Sequence, residues 1–336
     1  MAEKSVGPGT SAEDRLIARL FAPIATHPGA LGLKDDAALL AAPPGDELVF
    51  TKDMLVAGIH FFADDPAESI ARKAMRVNLS DLAAKGARPL GVMLAFAIPP
   101  GMDASALEAF ARGIGGDAAL YDAPLLGGDT VRTPGPFTVS ITAIGAVPAG
   151  TMVRRASAKA GQAIVVSGTI GDGALGLALR LAPDRPGFAA LDAEEACFLK
   201  DRYLHPRPRL PLIRALREHA SAAMDVSDGL VGDLAKLLSA SGIGGEIDIA
   251  RVPVSPAARR AVDAEPALLE VALTGGDDYE ILAVVPHHEL GRFNTLATMA
   301  GIGVAVIGHT HEGEGLTVRD GNGAPVSFAR DSFSHF

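Results

Sequence analysis

Short apolar runs alternate with longer alanine-rich segments along nearly the whole chain, and that alternation restricts it to layered α/β architectures. In the first half, "ELVFTKDML" and "GVMLAFAIP" have the length and side-chain make-up of strands. Between them "DPAESIARKAMRVNLSDLAAKGA" reads as one long helix. "SAEDRLIARLFAPI" predicts an opening helix, with Ser11 as N-cap and Leu16, Ile17, Leu20 and Phe21 at helical spacing. A helix over 104–119 leads to strands at "APLLGGD" and "FTVSITAIGAV". The second half repeats the style. Strands are expected at "AIVVSG", "AAMDVS", "GEIDIA", "YEILAVV" and "VAVIGHT", with helices over 229–241 and near 255–263 and 287–300. The polar segment "PAGTMVRRASAKAGQ" is the expected connection. At 336 residues the chain has the length of two medium domains. The expectation is therefore an α/β protein of α+β type, with two mixed α/β domains over 1–150 and 151–336.

Charge and cysteine narrow the functional classes. A formal net charge of −10 disfavours a nucleic-acid backbone or an anionic membrane as main partner. If the ligand is a phosphate compound, cations must sit between it and the protein's own carboxylates. Cys197 is the only cysteine, so neither an internal disulfide nor a thiolate zinc cage can form, and a reducing cytoplasm fits best. The first residues lack a signal-peptide pattern, and no window reaches about 18 consecutive apolar residues.

Acidic residues recur at the ends of apolar runs. They are "GLKDDAALL" (Asp35, Asp36), "FTKDML" (Asp53), "VNLSDLAAKGA" (Asp81), "LLGGDTV" (Asp129), "MDVSDGL" (Asp225, Asp228) and "TGGDDYEI" (Asp277, Asp278). Aspartate's short stem suits hard, oxygen-ligated cations such as Mg²⁺, which commonly share ligands with substrate phosphates. Taken singly, each Asp is more often a turn residue or helix cap than a metal ligand. Should they converge, pairs about 4 Å apart would repel by about 4 kcal/mol at a dielectric near 20, so convergence implies metal.

Other routes are absent or open. No G-x-x-x-x-G-K-[ST] and no H-R-D with D-F-G occurs, which removes the Walker and protein-kinase patterns. "SGTIGDGALG" (Ser167 to Gly176) fits either a glycine loop cradling phosphate or a plain strand-to-helix turn. His287 with His288, and His309 with His311, read as solvated loop histidines. Cys197 reads as the buried side of a helix.

The order "DDAALL", "KDMLVAGIHF", "VNLSDLAAKGA", "LLGGDT", "RRASAKAGQ", "SGTIGDGALGL", "MDVSDGL" and "TGGDDYEI" resembles the thiamine-monophosphate kinase family, within the aminoimidazole ribonucleotide synthetase-like superfamily. The resemblance spans the chain from about residue 12 onward. It implies transfer of phosphate from ATP to thiamine monophosphate, giving thiamine diphosphate and ADP without a phosphoenzyme, as the last step of thiamine diphosphate biosynthesis. It also implies two α/β domains and a homodimer formed through N-terminal strands. Matched residue by residue, it implies several Mg²⁺ ions held by Asp36, Thr51, Asp53, Asp81, Asp129, Asp225 and Asp228. ATP contacts fall to Gly128, Asp129, Arg155 and Ser227, and thiamine-phosphate contacts to His60 and Asp277. No residue is assigned acid–base catalysis, with Arg155 supporting the transfer, and Asp233 is expected to face solvent.

Three departures accompany the match. Lys52 stands where the family has Ser or Thr, leaving a main-chain carbonyl or no ligand there, with its amine free to meet a phosphate. Asp277 stands where Glu is common. The family's C-terminal substrate-packing aromatic falls near Arg330, with Phe333 and Phe336 close by. Selenophosphate synthetase and the hydrogenase-maturation protein of the superfamily each want a cysteine that this chain lacks. Another ATP-dependent synthetase of that fold, and a non-catalytic metal-dependent nucleotide-binding protein, are the remaining alternatives.

Overall fold

A computed structural model of the protein describes residues 11–329 together with Ser332; Arg330, Phe333 and Phe336 lie outside the described residues. The chain divides into two compact units, one of residues through Asn78 plus Pro89–Ala146, the other of Leu79–Arg88 plus Val147 onward.

The first unit opens with α1 (Ala12–Leu16), which carries the predicted Ser11 cap as a reciprocal capping box with Asp14. The helix does not run on as expected. A π-turn over Ile17–Phe21 and a 3₁₀ turn over Ala22–Ile24 replace it. Pro23 is the cause, since it lacks an N–H and its ring collides with the carbonyl four residues back. There follow β1 (Asp46–Val56), α2 (Ala67–Ala84), β2 (Arg88–Ile98), α3 (Ala104–Leu120), β3 (Leu125–Arg132) and β4 (Thr138–Pro148). The sheet order is β1-β4-β2-β3, with β2 and β3 parallel. Residues of α2 through Asn78 fall in this unit and those from Leu79 in the other. Aromatic rings form the core: Phe96 lies 5.3 Å from Phe21 and 5.4 Å from Phe110, which is 5.4 Å from Phe137. One buried ion pair crosses it, Arg76 Nε and Nη2 gripping Asp117 at 2.6 and 2.9 Å.

In the second unit β5 (Ala163–Ser167) leads into α4 (Asp172–Leu181), α5 (Pro186–Ala189), α6 (Ala193–Leu204) and α7 (Ile213–His219). Then come β6 (Ala222–Asp225), α8 (Leu230–Ser241), β7 (Gly244–Asp248), α9 (Pro256–Ala264), α10 (Leu268–Thr274), β8 (Ile281–Val285), α11 (Leu290–Met299), β9 (Val304–His311) and β10 (Leu316–Arg319). The six strands lie in the order β10-β7-β9-β5-β8-β6, parallel only between β10 and β7. Both faces are covered, which is why these strands read as unbroken apolar runs. Ile164, Val166, Leu282 and Val284 point to one core with α8, while Ala163, Val165, Ala283 and Val285 point to another with α7 and α11.

Two smaller expectations are corrected. His309 and His311 lie within β9 rather than in a loop. Cys197 is exposed, because α6 turns Leu199 and Tyr203 inward and leaves Cys197 on its outer side.

Candidate functional site

In the second unit the edge strand β6 ends at Asp225 and the chain turns through Val226–Gly229 before α8 begins. Gly229 adopts φ 115°, a conformation only glycine takes without strain, so the corner itself requires the glycine of "SDGL". Asp225 is buried and accepts a hydrogen bond from Ser80 Oγ at 2.6 Å. Burial pushes its carboxyl well above the ordinary range, the Asp81 carboxylate pushes it further, and the Ser80 hydroxyl pulls the other way. Lys85 belongs to the same electrostatic neighbourhood. Burial lowers its pKa, Asp225 and Asp81 raise it, and Arg155 lowers it again. Its Nζ donates to Ala223 O at 2.7 Å. Arg155 itself is exposed on a 3₁₀ turn whose carbonyl accepts from Ser241 Oγ at 3.0 Å, tying that turn to the end of α8.

Asp233 does not face solvent. It is fully buried, and its Oδ2 accepts the backbone N–H groups of Ser227 at 3.0 Å and Asp228 at 2.9 Å. The missed signal was the spacing: an acid in the first turn of a helix can reach back to the loop that precedes it. Lys236 Nζ, one turn further on, donates to Asp233 Oδ1 at 2.9 Å and to Asp228 Oδ2 at 2.5 Å.

The segment Gly275–Glu280 is laced to the same corner. Asp277 N donates to Ser227 O at 3.0 Å, Tyr279 N to Val226 O at 2.8 Å, and Val226 N to Glu280 O at 2.8 Å. Gly276 admits no side chain, since a Cβ there would sit 2.2 Å from Ser227 O. Asp277 and Tyr279 both take positive φ, 72° and 53°, a strain the surrounding bonds hold in place. Asp277 is thereby half-exposed beside Ser227, while Asp278 turns inward. The glycine loop is settled by the same residue: Asp278 Oδ2 accepts from Gly171 N at 2.7 Å and Oδ1 from Gly173 N at 3.0 Å. Those amides serve a buried carboxylate, which fits the strand-to-helix turn and not a phosphate cradle.

In the first unit Asp36, Gly128 and Asp129 line one cleft of about 180 Å³, together with Phe21, Met93 and Thr130. Gly128 is forced by packing, for a Cβ would lie 1.7 Å from Leu94 O across the β2–β3 pairing. Thr51, Lys52 and Asp53 follow one another along β1, and His60 lies in the turn after it; none of these four lines that cleft. Asp53 is fixed through its backbone, its N–H donating to Asn78 Oδ1 at 2.9 Å and its carbonyl accepting from Ser140 Oγ at 3.2 Å. His60 Nδ1 accepts from Val56 N at 3.0 Å, which fixes the ring's tautomer with any proton on Nε2.

Among the described residues no group of three or more His, Cys, Asp or Glu side chains is arranged to hold a metal ion. The donors nevertheless fit one. They are hard carboxylate oxygens, and the Asp81 and Asp225 pair in the second unit is one in which each charge opposes the other until a cation intervenes.

Two family models match in tandem: AIR synthase related protein, N-terminal domain, over residues 34–147, and AIR synthase related protein, C-terminal domain, over 159–321. A thiamine-monophosphate kinase of Caulobacter vibrioides is 46% identical over 305 residues, covering 90% of this chain and 84% of the relative. The chain belongs to the thiamine-monophosphate kinase family. Solved structures agree. A thiamine-monophosphate kinase from Stenotrophomonas maltophilia K279a superposes with a TM-score of 0.81 at 36% identity, covering 93% of this chain and 96% of that one. AaThiL complexed with AMPPCP and TMP gives 0.77 at 27% identity, covering 96% and 94%. This chain carries its acidic motifs in two mixed α/β units. Among the described residues, no helix is long and apolar enough to cross a membrane.

Proposed function

We propose that the chain transfers the γ-phosphoryl group of ATP to thiamine monophosphate in one in-line step, releasing thiamine diphosphate and ADP. The reading rests most on a relative at 27% identity over 96% of this chain that was solved with AMPPCP, an ATP analogue, and TMP. The acid-lined cleft of Asp36, Gly128 and Asp129 supports it from the structure.

Two anions must meet for this reaction, so the chief obstacle is charge. Mg²⁺ held by Asp36, Thr51, Asp53, Asp81, Asp129, Asp225 and Asp228 would supply the neutralising charge. The protein's own contribution is placement. Gly128, Asp129, Arg155 and Ser227 hold ATP, with the exposed Arg155 guanidinium suited to bidentate phosphate contact. His60 and Asp277 hold thiamine monophosphate. The backbone N–H groups of Ser227 and Asp228 already serve Asp233, so Ser227 meets nucleotide through its hydroxyl. The acceptor oxygen belongs to a phosphate already largely ionised near neutral pH, so no general base is assigned.

Incubation with ATP, Mg²⁺ and thiamine monophosphate tests the reading, with thiamine diphosphate expected in step with ADP. ADP formed only with some other acceptor would replace the kinase by another synthetase of the superfamily. Nucleotide binding with no ADP would leave a binding protein. Its single cysteine suits work in the cytoplasm. We also place a homodimer contact on β1, an edge strand that exposes Phe50 and Met54 on one face. Sedimentation at the mass of one chain would remove that contact.

A further inference from the structure

We propose that Asp233, with Lys236, is a positioning residue for the nucleotide-binding turn, a role that rests on the kinase reading above. The turn is held by several backbone bonds. Val226 N and O are bonded to Glu280 and Tyr279, and Ser227 O accepts from Asp277 N. Two further donors, Ser227 N and Asp228 N, converge on a single oxygen of Asp233. Removing that oxygen frees both donors at once. The turn would then keep only its bonds at Val226 and Ser227 O, while its side chains, Ser227 for nucleotide and Asp228 for metal, must project in fixed directions.

The arrangement is specific in charge as well as shape. A carboxylate accepting two N–H groups makes stronger bonds than a neutral acceptor, and an amide in its place offers one oxygen and a competing N–H₂. Lys236 completes it by holding the other oxygen of Asp233 and, with the same ammonium, Asp228 Oδ2. The lysine therefore fixes the relative placement of the helix carboxylate and the side chain it serves. Its side chain is 41% exposed, so its replacement leaves the core intact.

The test compares wild type with Asp233→Asn, Asp233→Ala and Lys236→Met on the full-length protein. Calorimetric binding of AMPPCP in Mg²⁺ is measured beside KM for ATP and for thiamine monophosphate. Asp233→Asn is expected to weaken AMPPCP and raise KM for ATP by about tenfold, and Asp233→Ala by more. Lys236→Met should shift both by about threefold. KM for thiamine monophosphate should stay within about twofold throughout, a split that mere loss of folded protein cannot produce. Amide protons of Ser227 and Asp228 should also move upfield in the Asn variant. Unchanged AMPPCP affinity in folded Asp233→Asn overturns the proposal, as does an equal rise in both KM values. Asp233→Ala, if it does not fold, leaves the decision to the other two variants. A wild type that binds AMPPCP but makes no thiamine diphosphate sinks the kinase reading alone, because the binding arm still decides the role of Asp233. A wild type that binds no AMPPCP overturns both.

Discussion

In the first unit Asp36 and Asp129 stand in solvent at the mouth of a cleft, and the contact shown for the Asp129 carboxylate is Thr130 N at 2.9 Å. In the second unit Asp225, Asp233, Asp278 and Glu280 are buried, and each is wired to named donors. Glu280 is the extreme: Ser167 Oγ, Arg202 Nη2 and Arg209 Nε reach it at 2.6, 3.0 and 2.6 Å, and Arg209 Nη2 adds a further contact. The contrast separates two uses of one chemistry. A solvated carboxylate costs little to place and can exchange water for a ligand. A buried one carries a desolvation penalty of several kcal/mol that only fixed partners offset, so its position becomes part of the fold.

The contrast breaks if the two groups respond alike to neutral substitution. Asp129→Asn and Asp53→Asn are expected to lower turnover by more than about a hundredfold, since even outer partners of metal ligands are worth ten- to a hundredfold. Their melting temperatures should stay within about 2 °C, as for surface changes. Glu280→Gln should do the reverse in kind. It strands the Arg202 charge, 3% exposed, and removes a charged partner of Arg209, so a loss of about 3–5 kcal/mol is expected in urea unfolding. A Glu280→Gln protein as stable as wild type would show that this network is ornamental, and a destabilised Asp129→Asn would place that residue with the buried group.

What could be read beforehand follows the same line. Strands β5 to β9 of the second sheet and α2, α3, α8, α9 and α11 were legible because burial on two faces, or on a helical stripe, leaves a periodic mark, whereas the edge strand β10 was not read. Of the stretch from Asp172 to His219 only the glycine loop and a helix around Cys197 drew a reading. Its helices α5 and α7 are only 4 and 7 residues long, too short for a periodic mark, and their caps have no side-chain bond to announce them. Motif order placed Asp225 and Asp228 at a strand-to-helix corner. It misplaced Asp233, because a carboxylate that reaches backward five and six residues looks, in sequence, like any polar position on an exposed helix face. Ser80, Lys85, Lys236, Arg202 and Arg209 were missed for a related reason: their partners lie far along the chain or on an adjoining turn, and no local spacing encodes them.

The smallest effect sharpens the comparison through pH. Burial raises the Asp278 carboxyl well above its ordinary value of 3.8, and the neighbouring Asp172 raises it further, while the Gly171 and Gly173 amides oppose both. A carboxyl whose folded pKa lies above its unfolded one adds stability that is complete below the unfolded value. That stability is lost as pH rises through the folded value. Other carboxylates run the opposite way, among them Asp201, Glu218 and Glu265, whose values are lowered in the fold. The whole-protein curve therefore mixes signs, and the useful quantity is the difference between wild type and Asp278→Asn, which has no charge to gain at this position. Measured by urea unfolding from pH 4 to pH 7, that difference should move steadily in favour of the variant. A flat difference for Asp278→Asn would mean that its two amide donors outweigh burial, and that the wiring of the second unit holds this carboxylate ionised.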